Sequence, residues 1–223
     1  MLIPQSELLA LSSAGLLVST FGVLLRRSFT GWVSAYRYQS LVLAASTVVI
    51  AYYTGFWEFY VAAALTVVVK ALAIPRLLVR VTSEVEGALK IEANPYVSIR
   101  VSVLISALLV ALSYGVVQQT LASASLGSLA EAYLPVSVSL FFIGLFAMVS
   151  RRTALNQVVG LLIIENGLFL FTTALTQDVS LLIETGILAD ALVGVVISVI
   201  LLARMNQTFD SLDTTSLEKL KDD

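Results

Sequence analysis

Apolar residues run through this chain in long stretches, interrupted by short polar clusters. The unit to look for is about 20 residues, which at 1.5 Å per residue crosses the ~30 Å hydrocarbon layer of a bilayer. Such stretches run from Leu8 to Leu25, Trp32 to Tyr53, Trp57 to Val79, Tyr96 to Val117, Tyr133 to Ser150, Leu155 to Leu175 and Val179 to Ala203. They predict an all-α, polytopic integral membrane bundle of about seven transmembrane helices. The N-terminal segment, Met1 to Glu7, has no basic run ahead of the first stretch, so no cleavable signal is expected and the first helix is retained.

The polar clusters between the stretches are not alike. Arg26 and Arg27 follow the first, Arg76, Arg80, Lys90 and Arg100 surround the connection after the third, Arg151 and Arg152 follow the fifth, and Arg204, Lys219 and Lys221 follow the seventh. With seven spans these 11 basic residues share one side, and the loops at 54–56, 118–132 and 176–178 hold neither Lys nor Arg. Basic loops face the cytoplasm, which puts the N-terminus outside and the C-terminus inside. Arg37 lies about a turn inside the second span and can snorkel to the inner interface. Lys70 is too deep for that.

The connection from Val81 to Asn94 alternates charged residues with Val85, Leu89 and Ile91, the pattern either of an interfacial amphipathic helix or of a solvated connector. The outer segment 118–132 is expected to be a loop uncharged enough to lie against a partner. The arginine pairs ahead of Gln39 and of Glu165 admit a parallel repeat of two three-helix units, the first continuing to Lys70 and the second to Asp190. Four regions result: 1–80, a three-helix unit; 81–132, inner loop, fourth helix and outer loop; 133–203, a second three-helix unit; and 204–223, a polar cytoplasmic tail.

Composition narrows the chemistry. Of 223 residues 58% are hydrophobic and 13% charged, about half the charge of an ordinary soluble domain. There is no Cys and no His, which removes thiolate or imidazole metal ligation and the commonest nucleophile–base pairs. A net charge of −2 offers no field for nucleic acid. No catalytic, cofactor-binding or metal site is read in the chain.

What stands out instead is charge inside the spans: Lys70, Glu165, Glu184 and Asp190. A charge at mid-bilayer costs at least ~2.5–3.5 kcal/mol on insertion scales, so such a residue faces protein, pairs, or becomes neutral. Groups poised between charged and neutral forms can pass protons. The plainer reading is polar glue between helices, for instance a Lys–Glu pair, but four such residues in one small subunit favour function. Glu184 and Asp190, six apart, sit about 120° apart on a helix and share no face. Asn166 beside Glu165 can anchor a water, and Gly167 lets a neighbouring helix come close. Pro75, five residues after Lys70, removes a helical hydrogen bond and is expected to kink the third span or to be a tolerated membrane proline. Trp32, Tyr36, Tyr52, Tyr53, Trp57, Tyr60, Tyr96 and Tyr133 lie at span ends and read as an interfacial aromatic belt.

The residues Tyr38-Gln39-Ser40-Leu41-Val42-Leu43, Lys70 with Pro75, Glu165-Asn166-Gly167, Glu184 to Gly186, Asp190-Ala191, Leu202-Ala203-Arg204 and the tail from Leu212-Asp213 through Leu217 to Leu220-Lys221 carry a resemblance over most of the chain. It resembles component E of hydrogenase-4, a membrane subunit of energy-converting group 4 nickel–iron hydrogenases and formate hydrogenlyases. Residues 133–203 are also similar to the three-helix K (4L) subunit of respiratory complex I. That subunit carries a buried glutamate in each of its last two helices on a proton route. The resemblance places Glu165 on the first position and Asp190, one methylene shorter, on the second; Glu184 has no clear counterpart.

The resemblance implies a non-catalytic subunit of a redox-driven ion pump in the inner (cytoplasmic) membrane. Glu165 and Asp190, with Glu184 and Lys70 as further members, would form a lateral proton relay. Its partners would be antiporter-like subunits, the membrane anchor of the quinone or hydrogenase module, and lipid. Cofactors would sit in other subunits. Two alternatives stay open on the residues: a structural linker holding antiporter-like subunits together, and a stand-alone ion transporter.

Overall fold

The computed structural model describes residues 4–83, 96–123, 127–151 and 154–175. Among them the chain is helical and contains no strand. In order come α1 (Gln5–Leu24), α2 (Phe29–Thr54), α3 (Glu58–Leu65), a π-helical segment (Thr66–Ala73), α4 (Ile74–Ser83), α5 (Ile99–Ser123), α6 (Ser128–Ser150) and α7 (Ala154–Leu175). Glu58–Arg80 runs through α3, the π segment and α4 as one span.

Among the described residues five helices are long and apolar enough to cross a membrane: Gln5–Leu24, Glu58–Arg80, Ile99–Ala122, Ser128–Ser150 and Gln157–Leu175. The second expected span is present as α2, 26 residues long. Arg37, Tyr38, Gln39 and Ser40 interrupt its apolar run, which is why it is not among the five. The seventh expected span, with Glu184 and Asp190, lies outside the described residues, as do the tail and positions 84–95 of the inner connection. The outer loop expected at 118–132 needs correction. Helix α5 continues to Ser123 and α6 starts at Ser128, so most of that segment is helical. Gln118, Gln119 and Thr120 are polar without breaking a helix, and polarity alone had suggested a loop.

Helix ends follow local chemistry. Ser28 caps α2, its Oγ accepting from the Gly31 N–H at 3.2 Å. Gly55 ends α2 in the left-handed region at φ 75°, donating its N–H to the Ala51 carbonyl. The connection from α2 to α3 is therefore tight.

Buried positions on α1 fall at Leu9, Ser13, Leu16, Thr20 and Val23, alternating steps of four and three. On α2 they include Trp32, Tyr36, Gln39, Leu43, Ser46 and Ile50. Both series trace a seam with the spacing of packed helix pairs. Polar groups lie in that seam, where Gln39 Nε2 donates to Thr20 Oγ1 at 2.8 Å, and beside it, where Ser12 Oγ of α1 lies 2.7 Å from the Tyr133 hydroxyl of α6. Helix α5 shows the inverse face, with Leu104, Leu108, Leu112 and Val116 exposed at four-residue steps while Ser102, Ser106 and Ser113 are buried. Small polar residues inward and leucines outward is the arrangement lipid permits.

Helices α6 and α7 pack backbone to backbone. A Cβ on Gly144 would lie 2.8 Å from the Gly160 carbonyl oxygen, and one on Gly167 would lie 2.9 Å from both the Ser137 carbonyl oxygen and the Phe141 nitrogen. The close approach expected at Gly167 is thus present. At the far end of α6, Arg151 is buried and crosses to α1, its guanidinium 3.4 Å from the Leu24 carbonyl and 4.8 Å above the Trp32 ring. A cation there complements the open carbonyls of a helix C-terminus. It also fixes the C-terminal ends of α1 and α6, and with them Arg26 and Arg27, at one end of the bundle.

Candidate functional site

The third span is regular α-helix until Thr66, then widens. The Ile74 N–H donates to the Val69 carbonyl, five residues back, and Pro75 follows with no N–H to give. The span meets Pro75 with this wider turn. Lys70 lies within the π segment and is turned wholly inward, with none of its side chain exposed. Its Nζ stands 2.9 Å from Glu165 Oε1 and donates to Asn166 Oδ1 at 3.1 Å, both on α7. The ammonium also lies 5.2 Å from the centroid of the Phe169 ring. Glu165, Asn166 and Phe169 are at i, i+1 and i+4, so one turn of α7 supplies a counter-charge, a neutral acceptor and a π face.

The pair is asymmetric: Lys70 is sealed, while 15% of the Glu165 side chain remains exposed. The carboxylate is therefore the half that other groups can reach. Around the pair lies a polar patch inside the apolar bundle. Tyr36 on α2 is fully buried, adjoins Ser40 one turn on, and is within electrostatic reach of Glu165. Thr66, one turn before Lys70, is also buried. The Tyr36 and Ser40 hydroxyls adjoin each other, while Thr66 Oγ1 and Asn166 Nδ2 have no hydrogen-bond partner among the described residues. Each such group in a protein interior costs about 1–3 kcal/mol unless water or another group reaches it.

Of the four residues singled out from sequence, the structure brings Lys70 and Glu165 together; Glu184 and Asp190 lie outside the described residues. Asn166, expected to anchor a water, binds Lys70 directly through its oxygen. The aromatic belt divides. Tyr52, Trp57, Tyr60 and Tyr96 are exposed, but Trp32, Tyr36 and Tyr133 are buried. Each of the three has an inward role that outranks an interfacial one: Trp32 donates its indole N–H to the Arg26 carbonyl under Arg151, Tyr36 is within electrostatic reach of Glu165, and Tyr133 meets Ser12. Sequence reading missed Tyr36, Ser40, Thr66 and Phe169 as neighbours of the charges. The available signal was the step of four from Tyr36 to Ser40 and from Glu165 to Phe169.

Comparison with known proteins adds a family to this geometry. Residues 132–222 match the family model of NADH-ubiquinone/plastoquinone oxidoreductase chain 4L, a stretch that includes Glu165. Hydrogenase-4 component E of Escherichia coli is 34% identical over 118 residues, 53% of this chain and 54% of that protein. Over about half of its length the chain is similar to hydrogenase-4 component E. The component E of Shigella flexneri gives the same figures, so the chain spans about half the length of these relatives. The match is narrower than the resemblance over most of the chain expected from sequence. An uncharacterised protein of Mycobacterium tuberculosis is 27% identical over 97% of both chains. No solved structure matches the chain at a significant level. The helices and the component E homology together make this a multi-pass membrane protein.

Proposed function

We propose that the chain is a non-catalytic membrane subunit of a complex I-like, redox-driven ion pump, and that the Lys70–Glu165 pair is its proton-handling element. The homology supports the first part, a membrane subunit within a larger assembly. The observation that carries the second is a lysine ammonium sealed inside a span at 2.9 Å from a partly open carboxylate.

The Asn166 oxygen and the Phe169 ring are partners suited to a Lys70 ammonium, and the ammonium is suited to a Glu165 carboxylate. A proton delivered to Glu165 neutralises the carboxylate and leaves the buried ammonium without its counter-charge. That state is costly in low dielectric, so the proton is passed on once an acceptor is offered. A charge change in a neighbouring subunit supplies the bias. Tyr36, Ser40 and Thr66 give bridging water something to hold beside the pair. Asp190, and then Glu184, are the next carriers in this reading. The basic end of the bundle faces the cytoplasm and the N-terminus faces out, in the inner membrane. Antiporter-like subunits and the anchor of the quinone or hydrogenase module are the partners, and redox cofactors sit in other chains.

The well-satisfied geometry of the ion pair also suits a second reading, a linker whose charges only hold helices together. Glu165→Gln separates the two in the assembled complex. In complexes that assemble with Glu165→Gln, the relay predicts that ion pumping is lost and the linker predicts that it is kept.

A further inference from the structure

The partners of Lys70 form a receptacle for a cation as such. The Glu165 carboxylate at 2.9 Å, the Asn166 amide oxygen at 3.1 Å and the Phe169 ring at 5.2 Å all turn negative or electron-rich atoms toward one point. None of these contacts depends on the methylenes that tie the ammonium to the Lys70 backbone. Thr66, one turn before Lys70 in the π-helical segment, adds a further oxygen to the same buried patch. Its Oγ1 has no hydrogen-bond partner among the described residues.

We propose that this receptacle is a Na⁺ site which Lys70 keeps filled with its own tethered ammonium. Carboxylate, amide and hydroxyl oxygens are the donors that a hard cation takes. A tethered group competes at an effective concentration set by its tether, ahead of a free ion. Because Lys70 is sealed and in contact with these donors, Na⁺ finds the site closed in the intact chain. Removing the Lys70 side chain changes two things. It frees the volume its methylenes fill, and it leaves a carboxylate inside the bundle without its counter-charge, a costly state in low dielectric. Na⁺ with its water answers both, and the part of Glu165 that stays exposed, 15% of its side chain, gives the ion a way in. In the proposed relay, Glu165 would then exchange protons and not Na⁺. That consequence rests on the relay reading; the site itself does not.

The test is thermal unfolding of the purified full chain in mild detergent, with NaCl replacing the bulky N-methylglucamine chloride at constant ionic strength and pH. The unfolding midpoint of Lys70→Ala should rise with Na⁺ by about 4 °C or more and then saturate, as binding to the folded state alone requires. The parent should not respond, and neither should Lys70→Ala combined with Glu165→Gln. Propylammonium, which restores the atoms removed from the side chain, should stabilise Lys70→Ala as well. The proposal is overturned if the parent responds as Lys70→Ala does, or if the response survives Glu165→Gln. It is overturned equally if Lys70→Ala ignores Na⁺, its carboxyl having taken a proton instead, or responds to propylammonium alone, which marks a pocket shaped for lysine only. Where Lys70→Ala does not fold in N-methylglucamine, the yield of monodisperse protein prepared in Na⁺ is the readout. Recovery in Na⁺ supports the site, and aggregation in every salt overturns it. No ion pumping enters these measurements, so their failure and that of the relay are told apart by the Glu165→Gln complex.

Discussion

Lys70 cannot reach either interface from the middle of its span, so its charge has to be answered inside the protein. The structure answers it three ways on one turn of α7, through Glu165, Asn166 and Phe169. Removing one member of such a pair leaves the other buried and alone, whereas removing both is far milder. Lys70→Met is therefore expected to cost about 3–5 kcal/mol, and the double variant Lys70→Met with Glu165→Gln to recover most of it. Unfolding midpoints of the parent, the two single variants and the double variant in mild detergent give the comparison; a double variant no more stable than Lys70→Met would show the two residues to be uncoupled. At this scale the sequence was informative about which residues were out of place but not about who meets whom. Three carboxylates were available to Lys70, and 96 residues separate it from Asn166. Trp32, Tyr36 and Tyr133 were misread for a related reason. A helix apolar on every side gives no sign of which face turns inward, so position along the span was the guide to their role.

At the scale of elements, the α6–α7 contact sets the geometry of the site, because it fixes where Glu165 sits. Small residues permit that contact: Gly144, Gly160 and Gly167 each leave no room for a Cβ against the opposing backbone. Backbone has no rotamer with which to retreat, so Gly167→Ala should push the helices apart at a cost of about 1–3 kcal/mol. Gly115 on α5 has nothing within 4 Å of its would-be Cβ. There the same change should be neutral or stabilising by up to about 1 kcal/mol, the helix-propensity gain. Thermal stability of the two variants checks this, and equal effects would mean that the glycines do not set the helix spacing. The helices themselves were legible because span length is fixed by the bilayer. The outer segment 118–132 was not, since glutamines and threonines are as compatible with a helix end as with a loop. Pro75 was legible as a disturbance, but its form, a π-helical widening before the proline, depends on the turns around it.

The whole molecule presents its known arginines unevenly. Arg151 reaches Leu24 at the end of α1, which aligns two arginine clusters at one end of the bundle. The orientation proposed from this asymmetry is open to labelling, because the chain has no cysteine of its own. A membrane-impermeant maleimide added to intact cells should label Trp57→Cys and should reach Arg27→Cys only after permeabilisation; the reverse pattern would invert the topology. The central claim concerns Glu165 as a proton carrier and not only as an anchor for Lys70. It is tested most directly by ions translocated per electron in proteoliposomes holding the assembled complex, with and without Glu165→Gln. The account predicts an intact complex that still transfers electrons while translocation per electron falls roughly tenfold or more, as expected for a lost proton carrier. An intact Glu165→Gln complex with the parent's ratio of ions to electrons would contradict it.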